Sequence, residues 1–169
     1  VADKYLYDNA GTITEREATV VSAGAGNAGD VVGLDSGGLL DISTMPAGVG
    51  ADTVVLACSE NVSAGDWLNV WDDSSVIKCR KADATAEGKR CHGFTLEAKT
   101  SGQNVTVYLS GTNNQISGLT GGTRYYLSTT AGAETATAPS ASGNVVQVIG
   151  IAVATTSISF NPQFICIKA

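Results

Sequence analysis

Asn104-Val105-Thr106-Val107-Tyr108-Leu109-Ser110 is the stretch whose reading sets the fold class. Val105, Val107 and Leu109 alternate with Asn104, Thr106, Tyr108 and Ser110, a period of two that puts the aliphatic side chains on one face of a strand. A strand with one buried face needs neighbours, and runs of the same character lie on both sides of it. They are Thr53–Cys58, 67–71, 76–79, 93–96, 123–127, 145–153, 157–160 and 164–167. Between them stand turn formers: Asp72-Asp73-Ser74-Ser75, Thr100-Ser101-Gly102-Gln103, and Ala138-Pro139-Ser140-Ala141-Ser142-Gly143-Asn144. Short strands at regular spacing with turns between them predict an all-β fold, a compact β-barrel or β-sandwich-like domain over 51–169. Helix-compatible sequence is confined to 81–88 and a turn at 42–45. No fixed-period repeat occurs, which disfavours a solenoid or propeller.

Composition agrees with short strands. Of 169 residues, 33 are Ser or Thr, 22 Ala and 20 Gly, so 75 side chains are small and bury little area, and long amphipathic helices have little to build on. The net charge of −6 with only 15% charged residues argues against a phosphate-coating protein, so nucleic acid is not an expected partner. No run of 18 apolar residues exists to span a bilayer. The first residues, Val1-Ala2-Asp3-Lys4-Tyr5, lack the basic and apolar regions of a signal peptide, and synthesis in a cytoplasm is expected.

Residues 1–50 differ in kind from the rest. They hold seven acids and two bases, a net −5 that leaves −1 for the remainder. Stretches such as Ser22-Ala23-Gly24-Ala25-Gly26-Asn27-Ala28-Gly29 have side chains too small to offset chain entropy. This segment reads as an extended N-terminal arm that gains order from a partner. Within it, Val31-Val32-Gly33-Leu34 and Leu39-Leu40-Asp41-Ile42 flank Asp35-Ser36-Gly37-Gly38, a pattern that predicts a short β-hairpin. Val31, Val32, Leu34, Leu39, Leu40 and Ile42 are its candidate contact residues. The run from Ser43 to Gly50 contains Pro46, Gly48 and Gly50 and reads as the boundary.

Residue types that carry chemistry are sparse. His92 is the only histidine, so a two-His zinc site cannot form in one chain, and no nucleophile elbow accompanies it. Cys79, Cys91 and His92 could offer three zinc ligands, but their spacing matches no familiar module. Asp72, Asp73, Glu60 and Asp66 lack the spacing of a calcium loop and read as solvated turn residues. No catalytic residue, cofactor or metal site is expected. Four cysteines, Cys58, Cys79, Cys91 and Cys166, without C-x-x-C spacing are expected to be free buried thiols, with Cys79 and Cys91 the one pair placed to face each other across strands. Lys78, Arg80, Lys81, Lys89 and Arg90 form a basic cluster, read either as a solvated hairpin face or as a contact for an acidic neighbour. Trp67, Trp71, Tyr125 and Tyr126 could make a sugar-binding platform. Trp67 and Trp71, at i and i+4 of a strand, share a face and read as core, together with Val105, Val107, Leu109, Val146 and Val148.

Several motifs in order resemble a domain of tailed-phage virion proteins, the capsid decoration (cement) and head-fibre proteins. They are V-S-A-G-D-W-L at 62–68, R-K-A-D-A-T at 80–85, H-G-F at 92–94, G-L-T-G-G-T-R-Y-Y-L-S at 118–128, G-N-V-V-Q-V-I-G-I-A-V-A-T-T at 143–156 and S-F-N-P at 159–162. Upstream, G-D-V-V-G-L-D-S-G-G-L-L-D at 29–41 is similar to a spacer that precedes such domains. The resemblance implies a structural virion protein without enzymatic activity. It implies a homo-oligomer, most often a trimer, bound to the major capsid protein on the outer face of the shell, made in the host bacterial cytoplasm and stabilising the capsid. A carbohydrate-binding or host-adhesion module of a head or tail fibre is the alternative. The four cysteines and Lys89-Arg90 depart from the pattern, and a receptor-binding tip is not expected.

Overall fold

A computed structural model describes residues 3–45 and 52–169, with the Ile42 side chain outside the description. The protein is all-β. It divides into two compact units, Val1–Gly50 and Ala51–Ala169.

The first unit opens with a hairpin of β1 (Lys4–Asn9) and β2 (Thr12–Glu17), paired from Lys4↔Glu17 to Asn9↔Thr12. Its two-residue turn puts both Ala10 and Gly11 at positive φ, 53° and 91°, the twist that matches a two-stranded ribbon. The hairpin expected around Asp35-Ser36-Gly37-Gly38 is not formed as a ladder. Asp35 Oδ1 accepts the N–H groups of Gly37 and Leu39 at 2.8 and 2.9 Å, and two backbone bonds, Asp35 N–H to the Leu39 carbonyl and Gly38 N–H to the Asp35 carbonyl, close the loop. The carboxylate has taken the donors that a ladder would need. Val32 instead bridges Thr19 in parallel. The sequence 42–45 forms a 3-10 turn over Ile42–Thr44, and the rest of the boundary, 46–50, lies outside the described residues.

The second unit has two layers. β3 (Thr53–Cys58), β4 (Trp67–Asp73), β5 (Val76–Lys81), β6 (Gly93–Phe94) and β7 (Asn104–Tyr108) close into a barrel in the order β3-β5-β4-β6-β7. β8 (Gly111–Asn113), β9 (Arg124–Leu127), β10 (Glu134–Thr135), β11 (Val145–Ala154) and β12 (Ser157–Ile167) form a sheet in the order β10-β9-β11-β12-β8. β12 is one strand where the sequence suggests two. Pro162 falls where the β11–β12 register slips between Val148↔Gln163 and Gly150↔Phe160, so its missing N–H breaks no regular pair. The helix-compatible 81–88 contributes only a 3-10 turn, Glu87–Lys89.

Strand alternation on β4 builds two cores. Leu68 turns into the barrel beside Cys58, Val62, Cys79, Val105 and Val107. Trp67 turns outward, to Phe94, Leu127, Ile149, Ile158 and Phe160 between the layers. Its ring centroid lies 5.7 Å from Phe94 and 5.4 Å from Phe160, and Trp67 Nε1 donates to Glu134 at 2.8 Å. Val146 and Val148 are buried as expected, while Leu109 is half-buried against the barrel core. Trp71 corrects the core expectation. It shares Trp67's face but is only half-buried, with the Arg80 guanidinium 4.4 Å over its ring.

Candidate partner-binding surface

The arm is held together by polar contacts around one carboxylate. Asp30 Oδ2 accepts from Thr19 Oγ1 at 2.7 Å and Asn27 Nδ2 at 2.9 Å, and Arg16 pairs with Oδ1 at 2.5 Å. These ties join the end of β2, the 3-10 turn Gly24–Asn27 and the strand-like Val31–Val32. The bonds from Asn27 and Thr19, helped by Arg16 and opposed by burial, hold the Asp30 carboxyl below the usual carboxylate range.

No described residue of the arm is buried. Among the predicted contact residues, Val31, Val32, Leu34, Leu39 and Leu40 are exposed by 46–66%. Ile42 opens the 3-10 turn, and its side chain lies outside the description. Sequence reasoning missed Leu6, Ile13 and Val21, which are 74%, 63% and 65% exposed. For Leu6 and Ile13 the signal was present in Lys4-Tyr5-Leu6-Tyr7 and Thr12-Ile13-Thr14 around Asn9-Ala10-Gly11. Ala18, Val20, Gly33 and Leu34, with Asp3 and Asp35, line an open groove of about 480 Å³. A Cβ on Gly33 would sit 3.1 Å from the Ala18 Cβ, so glycine keeps the groove floor low. A two-stranded ribbon with both faces in water is at best marginally stable alone. Of the exposed apolar side chains, Leu6 and Ile13 lie on this ribbon and the others on the chain that follows it.

Val70 N–H donates to His92 Nδ1 at 3.1 Å, while partial burial, reinforced by the Arg90 charge, holds the imidazole pKa below its usual value. Cys91 does not face Cys79. It lies between the layers, with its N–H and carbonyl clamped by the Gln147 amide at 2.8 Å each, whereas Cys79 lies inside the barrel. All four cysteines are free thiols. Burial pushes the Cys79 and Cys91 thiols up to about 12, far from the thiolate that reacts. Among the described residues no cluster of three His, Cys, Asp or Glu is placed to hold a metal.

The carboxylates near the basic cluster have local partners. Lys78 pairs with Asp73 at 2.8 Å, Lys81 with Asp66 at 3.3 Å and Lys89 with Asp83 at 3.0 Å. Asp72 accepts the Ser75 N–H and Glu60 the Lys81 N–H. Arg80 lies over Trp71, and Arg90 lies 4.9 Å over Phe164. The acidic neighbours of this cluster are therefore largely its own turns. The sugar-platform reading loses Trp67, which is fully buried, and Tyr125, whose hydroxyl accepts the Thr120 N–H inside the body. No helix among the described residues is long and apolar enough to cross a membrane. Compared with known proteins, the chain matches no protein-family model and no curated sequence.

Proposed function

We propose that this chain is a structural virion protein that decorates the outer surface of a phage capsid, using its arm to bind the major capsid protein or a neighbouring copy of itself. The observation that carries the reading is the arm: a hydrogen-bonded unit with no buried residue among those described, presenting Leu6, Ile13, Val31, Val32, Leu34, Leu39 and Leu40 to solvent. Covering those side chains is favourable by roughly 25 cal/mol per Å² of apolar area. A shell supplies many equivalent sites, so modest contacts act together when the body is oligomeric, a trimer in this proposal. The motif resemblance over the body supports the same reading.

The test is co-sedimentation with expanded, undecorated shells of the phage that encodes the chain. Saturable binding at a copy number matching the symmetry positions of the shell is expected, and deletion of residues 1–50 should abolish it while leaving a folded body. Decoration by the truncated chain at the same level refutes the arm's role, and absence of binding by the full chain refutes decoration.

A second reading, host adhesion through a glycan, draws on one observation. Trp71 is half-buried with a guanidinium stacked on it, and Phe164 beside Arg90 is 47% exposed. It requires a glycan that changes Trp71 fluorescence; Trp67 is enclosed and cannot report such contact.

A further inference from the structure

Two thiols sit on the one parallel seam of the barrel. β3 and β5 meet through only two register pairs, Ala57↔Lys78 and Cys58↔Cys79, while β3–β7 has five and β4–β5 has six. Cys58 and Cys79 are 1% and 0% exposed, and both belong to the barrel core with Val105 and Val107. The Cys79 thiol leans toward β3, donating to the Ala57 carbonyl at 3.7 Å, one residue from Cys58. Register partners on adjacent strands stand roughly 4.8 Å apart, within the Cα spacing a disulfide spans. The other two cysteines have no such neighbour: Cys91 is enclosed between the layers, and Cys166 lies near the end of β12 opposite Val146.

We infer that Cys58 and Cys79 form a latent cross-strand disulfide that staples the closing seam of the barrel when the chain meets a peroxide. The sulfur of Cys58, as thiolate in a locally opened seam, attacks one peroxide oxygen. The O–O bond breaks, giving a sulfenic acid and, after protonation, water. The Cys79 sulfur then attacks the sulfenic sulfur, the S–O bond breaks, and a second water leaves. Two thiols are oxidised, one peroxide is reduced, and the two thiol protons end in the two waters. Burial keeps the pair unreactive while the barrel is shut, so the reaction is gated by opening of a seam only two pairs long. The staple closes a covalent loop of about 20 residues, which restricts the unfolded chain.

The experiment uses the full-length chain carrying Cys166→Ser, which removes the half-buried thiol most open to cross-linking between chains. Hydrogen peroxide is added under native conditions, and thiols are counted after denaturation. The count should fall from three to one, with an intact-mass loss of two hydrogens and a peptide joining Cys58 to Cys79. The melting temperature should rise by roughly 10 °C. Adding Cys58→Ala or Cys79→Ala should each abolish the mass loss, and circular dichroism of the reduced variants reports that they are folded. An unchanged thiol count, oxygen addition without a link, or a link through Cys91 overturns the inference. None of these outcomes bears on capsid binding, so the two readings fail separately.

Discussion

Gly93→Ala tests how tightly the barrel and the aromatic layer are joined. β6 is two residues long and meets β7 through one register pair, Phe94↔Tyr108. A Cβ on Gly93 would stand 2.5 Å from the Tyr108 carbonyl oxygen and 2.8 Å from Val107 Cγ1. Carbon–oxygen contacts of this kind settle near roughly 3.3 Å, so β6 and β7 must separate by about 0.8 Å at that point. The displaced neighbour is Phe94, 1% exposed and packed on Trp67, Tyr108 and Phe160. Overpacking of this kind costs about 1–3 kcal/mol, and loosening the aromatic pairs adds about 1 kcal/mol. A loss of about 3 kcal/mol, or roughly 6–12 °C in melting temperature, is expected. Urea unfolding followed by tryptophan emission reads it, since buried Trp67 is exposed on unfolding. Gly88→Ala is the control: its Cβ meets nothing within 4 Å and its φ is not positive, so its effect should stay within about 0.5 kcal/mol. A loss under about 1 kcal/mol for Gly93→Ala, or an equal loss for Gly88→Ala, refutes the reasoning.

Gln147→Leu leaves the buried N–H and carbonyl of Cys91 without partners, and at about 1–3 kcal/mol for each group should cost roughly 2–6 kcal/mol in the same urea assay. Leu39→Ser with Leu40→Ser removes two exposed arm side chains; the body's unfolding midpoint should not move, while shell binding in sedimentation falls at least tenfold. Acid should destabilise the body. Burial pushes the Asp83 carboxyl up, but hydrogen bonds from Thr85 and the pairing with Lys89 outweigh it and hold the pKa low, and the Thr106 N–H and Lys99 hold Glu97 low. A depressed folded pKa contributes stability that is full above the unfolded value near about 4 and is lost as pH falls through the folded value. Unfolding free energy measured from pH 6 downward should therefore drop below about pH 5, with a shallower drop in Asp83→Asn.

The alternation around Val105 and Val107, the turn formers and the small-residue composition made an all-β body legible in the sequence. Seven of its strands fall within two residues of their expected bounds, and the two expected runs at the C-terminal end are one strand. These features are local: side-chain alternation and turn sterics act within a few residues and need no partner to be read. That residues 22–29 bury nothing was legible for the same reason, because side chains that small cannot build a core wherever the chain places them. What only the tertiary structure decided depends on register between distant segments. Leu68 fills the barrel and Trp67 the space between layers because β4 is walled on both faces, whereas Trp71 shares Trp67's face but is only half-buried. Asp35 captured the donors of the expected hairpin, while Asn9-Ala10-Gly11-Thr12 formed one that went unread. The cysteines show it most plainly. Spacing suggested Cys79 with Cys91, yet parallel pairing of β3 with β5 sets Cys79 against Cys58, 21 residues away. Pairing across a closed barrel follows from which strands meet, and that is a property of the whole sheet rather than of any stretch of chain.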